Sequence, residues 1–143
     1  MEGNAWLLLA AVGTAIAAVL HVGCIVFGAA WYDAMGAGQR MVRLAREGRW
    51  QATFITSAIS LVLAIWALYA LAGAGMLPIL PAARLVLPAI AAMLLVRGMA
   101  GLVIARVRPG YNGARFWIVS SAVCLMLGGL YLAGTLQAWP RLG

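Results

Sequence analysis

Residues 83–105 read ARLVLPAIAAMLLVRGMAGLVIA, and this stretch decides the fold. It has the roughly 20 apolar residues that an α-helix needs to cross a hydrocarbon core at a rise of about 1.5 Å per residue. Between Arg84 and Arg106 its only charge is Arg97. Three further segments share its length and character: Ala5–Ala30, Ala52–Gly73 and Phe116–Leu136. None alternates polar with apolar residues, as a strand of a membrane barrel would. The expected fold is all-α, a polytopic four-helix transmembrane bundle forming one domain over residues 1–143.

Composition agrees. The chain is 66% hydrophobic and 9% charged, with a mean hydropathy of +1.02. A water-exposed surface normally requires about 25% charged residues. The net charge of +7 comes from ten arginines against Glu2, Asp33 and Glu47. The arginines lie mainly between apolar segments, so membrane topology and anionic head groups explain them and nucleic acid is not expected as a partner. Trp6, Trp31, Tyr32, Trp50, Trp117 and Trp139 fall near segment ends, where interfacial aromatics belong, whereas Trp66 and Tyr69 lie deeper. Met1–Trp6 carries only Glu2 and lacks the basic N-region of a secretory signal, so no cleavage is expected.

Arg40, Arg43, Arg46 and Arg49 fall in the first connection, and Arg106, Arg108 and Arg115 fall in or at the edge of the third. Arg84 and Arg141 lie on the other side. The positive-inside rule therefore predicts cytoplasmic basic loops and periplasmic termini, in a bacterial inner membrane. On a helical projection Arg40, Arg43, Arg46, Glu47 and Arg49 share one half, and Met41, Leu44 and Ala45 share the other, with Val42 out of place. This predicts a short amphipathic helix on the cytoplasmic leaflet, its four arginines near lipid phosphates and Gly36 and Gly38 as its joint. Pro78 and Pro81 separate the second and third spans.

Arg97 is the principal functional candidate. An arginine at the bilayer centre costs about 2.5–3.5 kcal/mol on insertion scales, so it is expected to face the bundle interior. Its Cα–Cβ bond tilts toward the helix N-terminus, away from the nearer, cytoplasmic interface. Counting the rise from the segment ends places His21, Ser60 and Cys124 at the same depth, about 12–15 Å from that interface. The four residues form a predicted ligand-binding layer, one from each helix. Helical spacing groups Gly13, Ala17, His21, Cys24 and Gly28 on the first helix, and Thr53, Ser57, Ser60, Ala64 and Ala67 on the second. It groups Arg97 with Gly101 on the third, and Ser121, Cys124, Gly128, Tyr131 and Thr135 on the fourth.

No acid falls near Arg97, so an anion, such as a lipid phosphate or a carboxylate, would supply both hydrogen bonds and neutralisation. The leading expectation is a non-enzymatic protein that binds a lipid or amphipathic anion, or a helical membrane partner, around Arg97. Its partners would be membrane lipids, a second copy of the chain, or another membrane helix. Two alternatives are a quinone- or lipid-linked redox or transferase enzyme, with His21 moving a proton beside Arg97, and a small oligomeric transporter. The single histidine precludes bis-histidine haem within one chain, the two cysteines form no Cys-x-x-Cys pair, and no P-loop is present; no cofactor or metal is expected.

Residues 21–38 (HVGCIVFGAAWYDAMGAG), 94–102 (LLVRGMAGL) and 116–125 (FWIVSSAVCL) together resemble small bacterial inner-membrane proteins of uncharacterised function. The resemblance covers most of the chain. It implies the four-helix architecture and carries no activity or site residue.

Overall fold

The computed structural model describes residues 3–143, which leaves Glu2 outside the described residues. It is helical, with no strand among those residues. Four helices are long and apolar enough to cross a membrane: α1 (Ala5–Phe27), α4 (Trp50–Gly73), α5 (Ala83–Val107) and α6 (Ala114–Ala138). Two short helices, α2 (Ala29–Ala34) and α3 (Gln39–Arg46), connect α1 to α4, and a 3-10 turn follows α6. Val19, Val26, Leu61, Leu85, Val96 and Leu136 on the outward faces are each between 63% and 74% exposed. So extensive an apolar exterior suits lipid and not water. The chain is a multi-pass membrane protein built as a four-helix bundle.

The first span ends earlier than Ala30. Gly28 adopts φ 77° and ψ −152°, its N–H bonds to the Cys24 carbonyl, and the chain turns before resuming as α2. A residue with a Cβ is strained at that φ, so glycine makes the break available. Gly36 (φ 67°) and Gly38 (φ 93°) form the expected joint before α3. The apolar side of α3 does not lie free against a leaflet. Val42, which the projection left out of place, is buried with Cys24, Tyr32 and Ala52, and Met41, Leu44 and Ala45 pack around that cluster. The helix is short enough for α2 and α4 to cover it from two directions, so a single projected half understates its buried face.

The bundle divides into two closely packed pairs, α1 with α4 and α5 with α6; α1 and α6 join them, whereas α4 and α5 touch far less. The pairs converge at the end that holds the starts of α1 and α5. There Asn4 caps α1 by accepting from the Leu7 N–H, and its side-chain amide donates to the Gly134 carbonyl at 2.6 Å. Leu7 fills the space left by two glycines: a Cβ at Gly134 would lie 2.9 Å from the Leu7 nitrogen, and one at Gly73 would lie 2.7 Å from the Leu7 side chain. Tyr131 of α6, fully buried, sits between the other helices. Its hydroxyl donates to the Trp66 carbonyl on α4 at 3.1 Å and lies 3.0 Å from the Thr14 hydroxyl on α1. Thr14 also reaches the Ala10 carbonyl at 2.5 Å.

The inward face of α4 carries Ala52, Thr56, Ser60, Leu63, Ala67 and Ala70. Thr53, Ser57 and Ala64, placed with Ser60 by spacing, are exposed instead. Thr56 is the buried threonine because the Tyr32 hydroxyl of α2 meets it at 2.8 Å. On α1 the buried residues are Leu7, Ala10, Ala11, Thr14, Ala18 and Cys24, so the predicted face is rotated toward Thr14. On α6 Ser121, Gly128, Tyr131 and Thr135 are all buried and Cys124 is half-buried, as the spacing predicts.

Interhelical hydrogen bonds in membranes contribute about 0.6 kcal/mol each on average, with a maximum near 1.7. Tyr131→Phe should therefore lower unfolding stability in mixed micelles by about 1 kcal/mol while preserving helicity. Gly134→Leu, which drives a side chain into the Leu7 backbone, should prevent compact assembly; size-exclusion chromatography with circular dichroism separates these two outcomes.

Candidate functional site

Arg97 lies on α5 at the edge of its contact with α6. On the helical projection Leu94, Gly98 and Gly101 turn to one side of it, toward α6, while Met93 and Ile104 lie about 20–40° to the other. Its guanidinium carbon is 4.9 Å from the ring centre of Trp117 and 5.9 Å from that of Phe116. Nη2 donates to the Ser120 hydroxyl at 3.4 Å, a long bond, and Ser120 itself bonds to the Trp117 carbonyl. Nη1 is buried and has no partner. Phe116, Trp117 and Ser120 all belong to the first two turns of α6, so the arginine is seated on one small face of the neighbouring helix.

The direction of the side chain departs from expectation. The tilt of Cα–Cβ favours the start of α5, but the guanidinium runs toward the end of that helix. Gly101, one turn farther along, makes this course available, because a Cβ there would lie 2.7 Å from Nη1. The same missing Cβ brings Ser121 against Gly101 from α6. The Ser121 hydroxyl is fully buried and unpartnered. Two orphaned polar atoms, a guanidinium N–H group and a hydroxyl, thus flank one glycine in the half of the bundle nearer the basic loops. Each unsatisfied buried polar group costs about 1–3 kcal/mol, and a charged one more.

The other predicted site residues are disposed differently. Ser60 donates across the α1–α4 pair to the Ala18 carbonyl at 3.0 Å. His21, half-buried, bonds through Nδ1–H to the Ala17 carbonyl at 2.6 Å. That tautomer leaves Nε2 as an acceptor. Cys124 is one turn from Ser120 on α6 and within electrostatic reach of Arg97. Arg97 and Cys124 therefore belong to one helix pair, and His21 and Ser60 to the other. No hydrogen bond among the described residues joins the four. Sequence spacing did not reveal Phe116, Trp117 and Ser120 as the seat; Trp117 read only as an interfacial aromatic and Phe116 as the start of the fourth span.

Among the described residues no acid supplies Arg97 with a counter-charge. Asp33 and Glu47 are exposed at the basic end, and the ion pair present among the described residues is Arg49 to Glu47 at 3.1 Å. Arg40, Arg43, Arg46 and Arg49 are all exposed there. The two basic connections are fastened together, because the Arg40 N–H donates to the Asn112 side chain at 3.1 Å and Asn112 packs against Gly38. Both cysteines are free, and no cluster of metal-binding side chains occurs among the described residues.

The chain matches no protein-family model, and no curated protein or solved structure is significantly similar to it. The site offers a desolvated cation with one uncommitted nitrogen, aromatic walls and neighbouring hydroxyls, an arrangement fitted to holding an anion.

Cation–π contacts contribute about 0.5–2 kcal/mol, depending on desolvation. In a double-mutant cycle, Trp117→Leu should thus cost about 1 kcal/mol more in wild type than in an Arg97→Leu background. Additive losses in a detergent unfolding assay would show that the guanidinium does not rest on the indole.

Proposed function

We propose that this chain is a non-enzymatic protein of a bacterial inner membrane that holds an anionic amphiphile at Arg97, with its basic loops in the cytoplasm. The unpartnered, buried Nη1 of Arg97 carries the reading. A guanidinium that reaches no carboxylate and only one distant hydroxyl among the described residues retains most of its desolvation cost, and an anionic head group would both hydrogen-bond and neutralise it.

The depth suits a lipid drawn from the basic-side leaflet. Gly101, beside which Nη1 lies, is six residues from the end of α5, or about 9 Å of rise. A phosphate or carboxylate needs to sink only that far to meet the cation. Ser120 and Ser121 are the adjacent hydroxyls, and Cys124 lies one turn from Ser120 on the same helix; His21, on the other helix pair with Nδ1–H held by the Ala17 carbonyl, is not needed to hold the anion. Ser60, with its hydroxyl occupied by Ala18, serves by fixing α4 against α1. The exposed Arg40, Arg43, Arg46 and Arg49 would contact head groups of the same leaflet, where a basic residue contributes about 1 kcal/mol.

Native mass spectrometry on the protein in mild detergent tests this directly. Wild type should retain an acidic phospholipid through delipidation that leaves it free of zwitterionic lipid. Arg97→Leu should lose that adduct and remain folded. Identical lipid retention by the folded variant would dismiss Arg97 as the anchor, and a variant less stable than wild type with no adduct on either would assign the arginine to packing.

A further inference from the structure

The weak contact between α4 and α5 leaves a groove on the bundle surface. It holds about 300 Å³, is lined by Ala58, Ile59, Val62, Leu63, Trp66 and Met93, and presents no polar surface. Its residues on α4 extend from Ala58 to Trp66, about 12 Å along the helix. Its one residue on α5, Met93, is a turn from Arg97 on the flank of the helix that turns away from α6. Through Met93 the groove thus comes within one helical turn of Arg97. The guanidinium leaves this point toward the basic end, and the groove extends from it toward the opposite end.

An amphiphile has this polarity. With its anionic group beside Gly101, its hydrocarbon would run away from the basic end and along α4 toward Trp66. At Trp66 the groove meets the closed half of the bundle, where the backbone carbonyl is bonded by Tyr131. We infer that the α4–α5 seam is the seat of an acyl chain, belonging to the same acidic phospholipid whose head group Arg97 anchors and admitted sideways from the basic-side leaflet. The inference rests on the proposed function. It assigns the lipid its path of entry and explains why α4 and α5 are the neighbours left apart: a seam closed by side chains would seal Arg97 from the leaflet.

The test uses phosphatidylglycerol with dihexanoyl or dipalmitoyl chains, and the matching phosphatidylcholines, titrated onto delipidated protein by native mass spectrometry. Wild type should bind the long-chain anionic lipid at least tenfold more tightly than its zwitterionic counterpart. Ala58→Phe and, separately, Val62→Phe fill the groove from lipid-facing positions without touching Arg97. Each should reduce long-chain binding about tenfold while leaving the short-chain anionic lipid unchanged. A diazirine at the end of the acyl chain should label the segment containing Ile59–Trp66 and Met93 in wild type and not in Arg97→Leu. Headgroup discrimination combined with unchanged long-chain binding in both filled variants, or labelling spread evenly over all four helices, would overturn the seam and leave the Arg97 reading standing. Equal binding of the two head groups by wild type would overturn both.

Discussion

Helices already in lipid gain little from burying more apolar surface, so this bundle must be held by close approach and by a few polar contacts. The Tyr131 hydroxyl is the principal one. It stands at the centre of the converged end and reaches α1 through Thr14 and α4 through Trp66. Around it, Gly73 and Gly134 admit Leu7, while Asn4 ties the start of α1 to α6. In this half of the molecule most inward positions are alanine, glycine or leucine, Asn4, Thr14 and Tyr131 are hydrogen-bonded, and the Thr135 hydroxyl is buried without a partner among the described residues. The packing here leaves no room for a ligand.

The other half is built on different terms. Its two helix pairs are each internally well packed, α1 with α4 through Ser60 and α5 with α6 through Gly98 and Gly101, yet they share few contacts with one another. The pairs are pinned again at the basic end by Asn112 on Gly38 and Arg40. Arg97 occupies the interval between these two attachments. Its buried, unpartnered nitrogen lies beside Gly101 and the Trp117 and Phe116 rings, in the α5–α6 contact that also buries Ser121.

Four spans, their order and the basic connections were legible because membrane length and hydropathy are properties of a single helix. Arg97 announced itself for the same reason, as a charge among apolar residues, and Gly101 stood one turn away on the same face. What depends on two helices was harder to read. The rotation of α1 toward Thr14, and the choice of Thr56 over Thr53 and Ser57 on α4, are set by Tyr131 and Tyr32, which lie far away in sequence. Depth alone grouped His21, Ser60, Arg97 and Cys124, yet equal depth does not distinguish one helix pair from the other. The break at Gly28 was hidden because Gly28 lies in an unbroken apolar run, and only its backbone angles reveal the turn.

The position of Tyr131 in the chain also bears on biosynthesis. Thr14 and Asn4 enter the bilayer with α1, but the groups of α6 that engage them, Tyr131 and the Gly134 carbonyl, are more than a hundred residues downstream. Until α6 has been translated and inserted, the Thr14 hydroxyl and the Asn4 side chain have only their bonds within α1, to the Ala10 carbonyl and from the Leu7 N–H. The order of synthesis thus opposes the order of packing. A chain interrupted before α6 would retain three insertable helices and lack the interhelical partners of Asn4 and Thr14.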